Sequence, residues 1–181
     1  MASGLLLIDF QNDYFPGGAM ELVGIDEAAG KAATLLSRAR ELGLPIFHAQ
    51  HVALQPEATF FRPYTKGAEI DARVVPMPGE PVAVKHFPNA FRDTFLAGAL
   101  RSAGIDQLIL CGAMTHMCID ASTRAAFDLG FQCTVVEDAC ATRDLAFEGR
   151  TIPARDVHGA FVAALGSAYA RILRADALSF R

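Results

Sequence analysis

The chain lacks any apolar run long enough to cross a bilayer, any block of basic residues and any CxxC pair, and each absence removes a class of function. A membrane-spanning helix needs about 20 consecutive apolar residues. The apolar start, Leu5 to Ile8, is broken at Asp9 and has no positive region before it, so no export signal is read and a cytoplasmic location is expected. With 16 Lys and Arg against 20 Asp and Glu, a formal net charge of -4, there is no electrostatic footprint for nucleic acid. The four cysteines, at 111, 118, 133 and 140, match neither a disulfide framework nor zinc spacing and are read as free thiols. Following the first apolar run, "DFQNDYFPGG" has neither GxGxxG nor a P-loop lysine, which sets aside a nucleotide-binding domain. Internal repeats and low-complexity tracts are missing too. A length of 181 residues suits one well-buried domain, 1–181.

What is present is alternation. Short apolar runs at Gly4 to Asp9, Pro45 to His51, Pro81 to Lys85, Gln107 to Gly112 and Gln132 to Glu137, with a weaker sixth at Ala168 to Leu173, are separated by helical stretches. The helices are expected near Asp26 to Leu42, Arg92 to Ala103, Thr115 to Leu129 and Ile152 to Leu165, and Gly43, Gly104 and Gly130 are natural C-caps. This is the pattern of an α/β, three-layer fold: a six-stranded parallel sheet flanked by helices on both faces. One segment departs from it. Residues 52–80 carry Pro56, Pro63, Pro76 and Pro78 among Phe60, Phe61, Arg62, Tyr64 and Lys66, too proline-rich for a long helix and too aromatic for a disordered linker. It is expected to be an ordered covering loop over the carboxyl edge of the sheet, serving as a lid or a subunit contact.

Three reactive groups fall at that edge. Asp9 ends "LLLID" and Lys85 ends "PVAVK", so each can compensate the other's buried charge. Cys118 follows the apolar run ending at Cys111, a glycine and Thr115, which reads as a helix N-cap. First-turn N–H groups there would stabilise a thiolate and depress the thiol below its usual value of about 8.5. Together the three meet the needs of covalent catalysis: a nucleophilic thiol, a carboxylate to take and return its proton, a cation, and backbone N–H groups in the turn Ala113 to Cys118 for an oxyanion. Neither a cofactor nor a catalytic histidine is required.

The motifs "LLIDFQNDYF", "VKHFPNAF", "LCGAMTHMCIDASTRAAFDLGF" and "CTVVEDACAT" give the chain, nearly end to end, a resemblance to the isochorismatase-like cysteine hydrolases, which include nicotinamidases, N-carbamoylsarcosine amidases and related amidases. The resemblance places Asp9, Lys85 and Cys118 on the family's catalytic triad. It further implies a cis peptide between Ala113 and Met114, an oxyanion hole from the N–H groups of Met114 and Cys118, pocket positions at Gln11, Phe15, Phe91 and His116, and a homodimer or homotetramer.

Departures narrow the expected chemistry. Metal-holding relatives use an Asp-x-His pair after the second strand; here "FHAQHVALQ" has Ala49 at the acidic position, leaving His51. His48 and His51 at strand spacing make a poor chelate, so no metal is expected. Members acting on isochorismate do not depend on the cysteine, so Cys118 favours hydrolysis of a small amide or carbamoyl substrate, with Arg62 and Lys66 as candidates to receive a carboxylate. The alternatives are an isochorismatase-type hydrolase of another small molecule and a catalytically silent oligomeric scaffold. A receiver-type phosphoacceptor domain lacks its acceptor aspartate here.

Overall fold

In the computed structural model, which describes residues 2–180, the elements run β1 (Ala2–Ile8), α1 (Ile25–Glu41), β2 (Ile46–His51), β3 (Val82–Lys85), α2 (Leu96–Ser102), β4 (Ile105–Ala113), α3 (Asp120–Asp128), β5 (Gln132–Ala141), β6 (Leu145–Phe147), β7 (Arg150–Ile152), α4 (Ala154–Gly166) and β8 (Ala170–Leu173). Six strands form one parallel sheet in the order β3-β2-β1-β4-β5-β8. β1 and β4 lie side by side, with the chain wound outward from each in opposite directions. The crevice beyond their carboxyl ends is where such a sheet binds ligands.

The sheet is buried on both sides, so its strands are apolar rather than alternating. Leu5 and Leu7 of β1 face a core completed by α1, while Leu6 and Ile8 face one built with α2, α3 and Leu165 of α4. Helix α1 buries Ile25, Ala28, Ala29, Ala32, Leu35, Leu36 and Ala39, a helical stripe, with Asp26 and Glu27 in its first turn and Arg38 and Arg40 in its last to suit the dipole. Gly112, opposite Ile8 of β1, has to be glycine: its φ is +138°, and a Cβ there would collide with the Ile8 carbonyl.

The structure departs from the sequence reading at element ends. Helix α2 starts only at Leu96, because residues 89–95 form turns in which Asn89 accepts from the Phe91 amide and Thr94 Oγ1 donates to the Ala90 carbonyl. β5 runs on to Ala141, with its register against β4 shifting between Leu110 and Gly112. Ile152 belongs to an unanticipated hairpin, β6–β7, and α4 starts after Pro153 with its first amide bonded to Asp144 Oδ1. Thr115 is not a helix cap. Residues Thr115–Ile119 form a π-helical turn with Met114 at the cap position and no side-chain cap, and Thr115 Oγ1 lies 3.2 Å from the Ala141 carbonyl and 2.9 Å from His158 Nδ1.

The covering segment is fastened to the loop after β1. Asn12 Nδ2 donates to the Lys66 carbonyl, Asp13 Oδ2 accepts from the Phe61 amide at 2.6 Å, and Gln11 reaches Ala68. Phe61, 1 % exposed, packs against Tyr14 and Phe60. Among the described residues no helix is long and apolar enough to cross a membrane.

Candidate active site

Each strand end presents one side chain. Asp9 follows β1 in the left-handed region (φ +54°), held by its amide to the Ala49 carbonyl and by its carbonyl to the Gln11 amide. An unfavourable backbone for a non-glycine residue persists where surrounding bonds over-determine it. Lys85 ends β3, and Cys118 sits in the π-helical turn after β4, beyond the cis peptide Ala113–Met114.

The three converge. Lys85 Nζ is 2.7 Å from Asp9 Oδ2 and 3.2 Å from Cys118 Sγ, and Asp9 and Lys85 are both wholly buried. The ammonium also donates to the Phe87 carbonyl at 3.1 Å and lies 3.1 Å from His51 Nδ1. A buried ion is tolerated only with this kind of saturation. Burial works against the charge of Lys85, but Asp9 and Cys118 outweigh it and raise its pKa. Burial, and then the Asp9 carboxylate, push the Cys118 thiol well up, more than Lys85 lowers it. Both influences run against the depressed thiol expected from the sequence. A carboxylate oxygen of Asp9 lies within 4.8 Å of Cys118 Sγ, which puts the acid beside the thiol whose proton it would take during attack.

Asp9, His51 and Cys118 bring one ligand atom each within 4.8 Å of one another, and the Lys85 ammonium contacts all three. These donors already share a cation. His48 takes a different partner, Glu80 Oε2 at 3.0 Å.

The remaining pocket candidates divide. Gln11 is fully buried, its amide spent on the carbonyls of His51 and Ala68 and on the His51 amide, so it ties β2 to the covering segment. Phe15 is buried beneath the Arg73 guanidinium, 4.4 Å from its centroid. Phe91 stacks on Phe131 and joins the core of the second face. His116 shares a hydrogen bond with Thr142 Oγ1 and meets the edge of Phe161; burial, then Arg143, lowers its pKa. Arg62 and Lys66 are exposed on the covering segment.

Three residues escaped the sequence reading. Tyr14 is 2 % exposed, and burial, then Cys118 and Asp9, raise its phenol, so it borders the site. Arg143, exposed after β5, makes its charge felt at both Tyr14 and His116 and pairs with no acid among the described residues. His51 enters the sequence reading only as a metal ligand. Its partnership with Lys85 follows from the register His51↔Lys85 between β2 and β3, which pairing alone reveals.

Residues 3–163 match the isochorismatase domain model. The chain belongs to the isochorismatase family. Its members are hydrolases, and this chain shares their fold. It is 49 % identical over 177 residues to the uncharacterized isochorismatase family protein YddQ of Bacillus subtilis, covering 98 % of each chain. With the maleamate amidohydrolase of Pseudomonas putida it shares 32 % identity over 154 residues, 77 % of this chain and 72 % of that one. The structure superposes on an isochorismatase from Pseudomonas putida with a TM-score of 0.92 at 38 % identity, covering 98 % of this chain and 90 % of that one.

Proposed function

We propose that this isochorismatase-family hydrolase cleaves a C–N bond of a small amide or carbamoyl compound through a thioester on Cys118. What carries the proposal is the buried contact of one ammonium with both the Asp9 carboxylate and the Cys118 sulfur, at 2.7 and 3.2 Å. As Sγ bonds to the substrate carbonyl carbon, the thiol proton passes to Asp9 and the carbonyl electrons move onto oxygen. The backbone N–H groups of Met114 and Cys118, on either side of the nucleophile turn, are assigned to that oxyanion. Collapse breaks the C–N bond, and Asp9 returns its proton to the leaving nitrogen. Water, deprotonated by Asp9, then attacks the thioester, and the released sulfur takes its proton back from Asp9. Lys85 keeps the carboxylate oriented and balances the charge developing on sulfur.

Arg143, an exposed cation whose charge acts on Tyr14 and His116, favours a substrate with an anionic group beside its amide. The match to an enzyme named for maleamate, an amide that carries a carboxylate, points the same way. A homodimer or homotetramer belongs to the proposal too: Met117 beside the nucleophile turn and Phe147 and Ile152 on the hairpin leave apolar surface exposed.

The test is ammonia release from a panel of small amides, ureas and carbamoyl compounds, with and without a carboxylate, combined with intact mass spectrometry of quenched reactions. A substrate-derived acyl mass on Cys118, absent from Cys118→Ala, supports the thioester. Turnover that survives Cys118→Ala would remove it, and indifference to the carboxylate would remove Arg143 from the account.

A further inference from the structure

The ammonium of Lys85 has three protons and four acceptors within reach: Asp9 Oδ2 at 2.7 Å, His51 Nδ1 at 3.1 Å, the Phe87 carbonyl at 3.1 Å and Cys118 Sγ at 3.2 Å. Asp9 holds one proton by charge and Phe87 a second by its fixed carbonyl. The third is contested between His51 and Cys118. A neutral thiol or thioester sulfur is a poor acceptor, whereas a sulfur gaining negative charge is a strong one.

Resting on the thioester reading above, we propose that His51 is a positioning residue whose ring Nδ1 holds the third proton of Lys85 while the sulfur is neutral and releases it to Cys118 as charge develops there. Without that second acceptor, a fully buried ammonium would lose a hydrogen bond at each stage in which sulfur is uncharged, and buried charges are costly when unsatisfied. With it, Lys85 stays saturated throughout the cycle.

The surroundings fit this role. His51 and Lys85 stand in register on neighbouring parallel strands, which puts both side chains on the same face. The His51 backbone is clamped on both sides by Gln11, which accepts from its amide at 2.7 Å and donates to its carbonyl at 2.8 Å. Its ring lies 5.8 Å from that of Phe61, the buried anchor of the covering segment. To accept from an ammonium, Nδ1 must be unprotonated, which puts the ring proton on Nε2. Burial first, then the charges of Lys85 and His86, outweigh Asp9 and lower His51 to about 4, so the ring stays neutral at working pH. The groups that act on the charge at Cys118 itself are Asp9 and Lys85, and the buried Tyr14 phenol is raised by Cys118 and Asp9 in turn.

The experiment needs no substrate. Cys118 is alkylated with iodoacetamide across pH, mapped by peptide mass, in wild type, His51→Leu and His51→Asn, with Cys111, Cys133 and Cys140 as internal controls. His51→Leu leaves the third proton to sulfur alone, so the Cys118 profile should move down by about one pH unit, close to tenfold in rate below the midpoint, with the three controls unmoved. His51→Asn supplies an amide oxygen near the Nδ1 position and should return the profile to that of wild type. Identical profiles in all three proteins, or His51→Asn behaving as His51→Leu, overturn the proposal. Faster labelling of all four cysteines signals a loosened fold, and the decision then falls to wild type: ¹⁵N spectra of ring-labelled histidine, assigned with His51→Asn, should show an unprotonated Nδ1 at neutral pH that shifts in Lys85→Met. A protonated Nδ1 there overturns it as well. If the profiles behave as expected but no amide yields a Cys118 acyl adduct, the thioester reading fails while the His51–Lys85 coupling stands.

Discussion

β2 carries two histidines three residues apart, and each ends in a different kind of charge cluster. His48 faces Glu80, which also takes two hydrogen bonds from Arg40 and one from the Met77 amide. His51 faces Lys85, which is shared with Asp9 and Cys118. The first cluster reaches water, the Arg40 and Glu80 side chains being 29 % and 10 % exposed, whereas Lys85 and Asp9 are 0 % exposed. An ion pair open to solvent costs little to form and serves to strap a segment down. One sealed from solvent beside a thiol is a poor stabiliser, and its retention is better explained by chemistry.

The largest effect expected is from breaking the sealed cluster at its acid. Asp9→Asn should reduce turnover at least about a thousandfold. It should also cost about 3–5 kcal/mol in chemical denaturation, because Lys85 is left without its counter-charge. The sharper variant is Asp9→Leu with Lys85→Met, which removes both charges together. Equal or greater stability with no activity is expected, and a large loss of stability would make this pair structural after all.

Next is the ionisation of the nucleophile. Iodoacetamide labelling of Cys118 in wild type should rise through a midpoint above the ordinary thiol value of about 8.5, because burial and Asp9 raise the thiol more than Lys85 lowers it. A midpoint below that value would restore the preformed thiolate.

The open cluster makes a smaller, pH-dependent prediction. Burial alone would raise Glu80, but hydrogen bonds from Arg40, the Met77 amide and His48 bring it down from 4.5 to about 2. A carboxylate depressed on folding stabilises the native state above its unfolded value and loses that contribution as pH falls through the folded one. Glu80→Gln should therefore lower the thermal midpoint by about 3 °C at pH 6 and by much less near pH 2, with activity near pH 7 unchanged. The smallest effect is expected at Phe91, which stacks on Phe131: Phe91→Leu should cost about 1 kcal/mol by urea unfolding with KM unaltered.

The fold and the three reactive residues were legible because parallel strands buried on both faces read as apolar runs, and a charge at the end of such a run has few places to go. Asp9 and Lys85 stand out against "LLLI" and "PVAV" for that reason. The hairpin and the late start of α2 rest on short local bonds that the apolar pattern does not mark, and the π-helical turn begins at a residue held by distant partners. Thr115 illustrates this. Its hydroxyl belongs to Ala141 and His158, 26 and 43 positions away, and no local rule predicts that choice. Gln11 likewise stood as a pocket position only through the family resemblance, and no local pattern shows that its amide is taken up by backbone groups of residues 51 and 68.

The neck of the covering segment has a bearing on how freely the loop beyond it can change. The Ala53 amide donates to the Phe61 carbonyl at 2.9 Å, and Phe61 is in turn pinned by Asp13. Residues 54–59 thus form a loop whose two ends are already joined, so lengthening it twofold should cost only about 0.6 kcal/mol. Its sequence and size can be exchanged while the anchors at Gln11, Asn12 and Asp13 keep the strand ends fixed. That makes it a stretch where length and sequence can change at little cost to the fold.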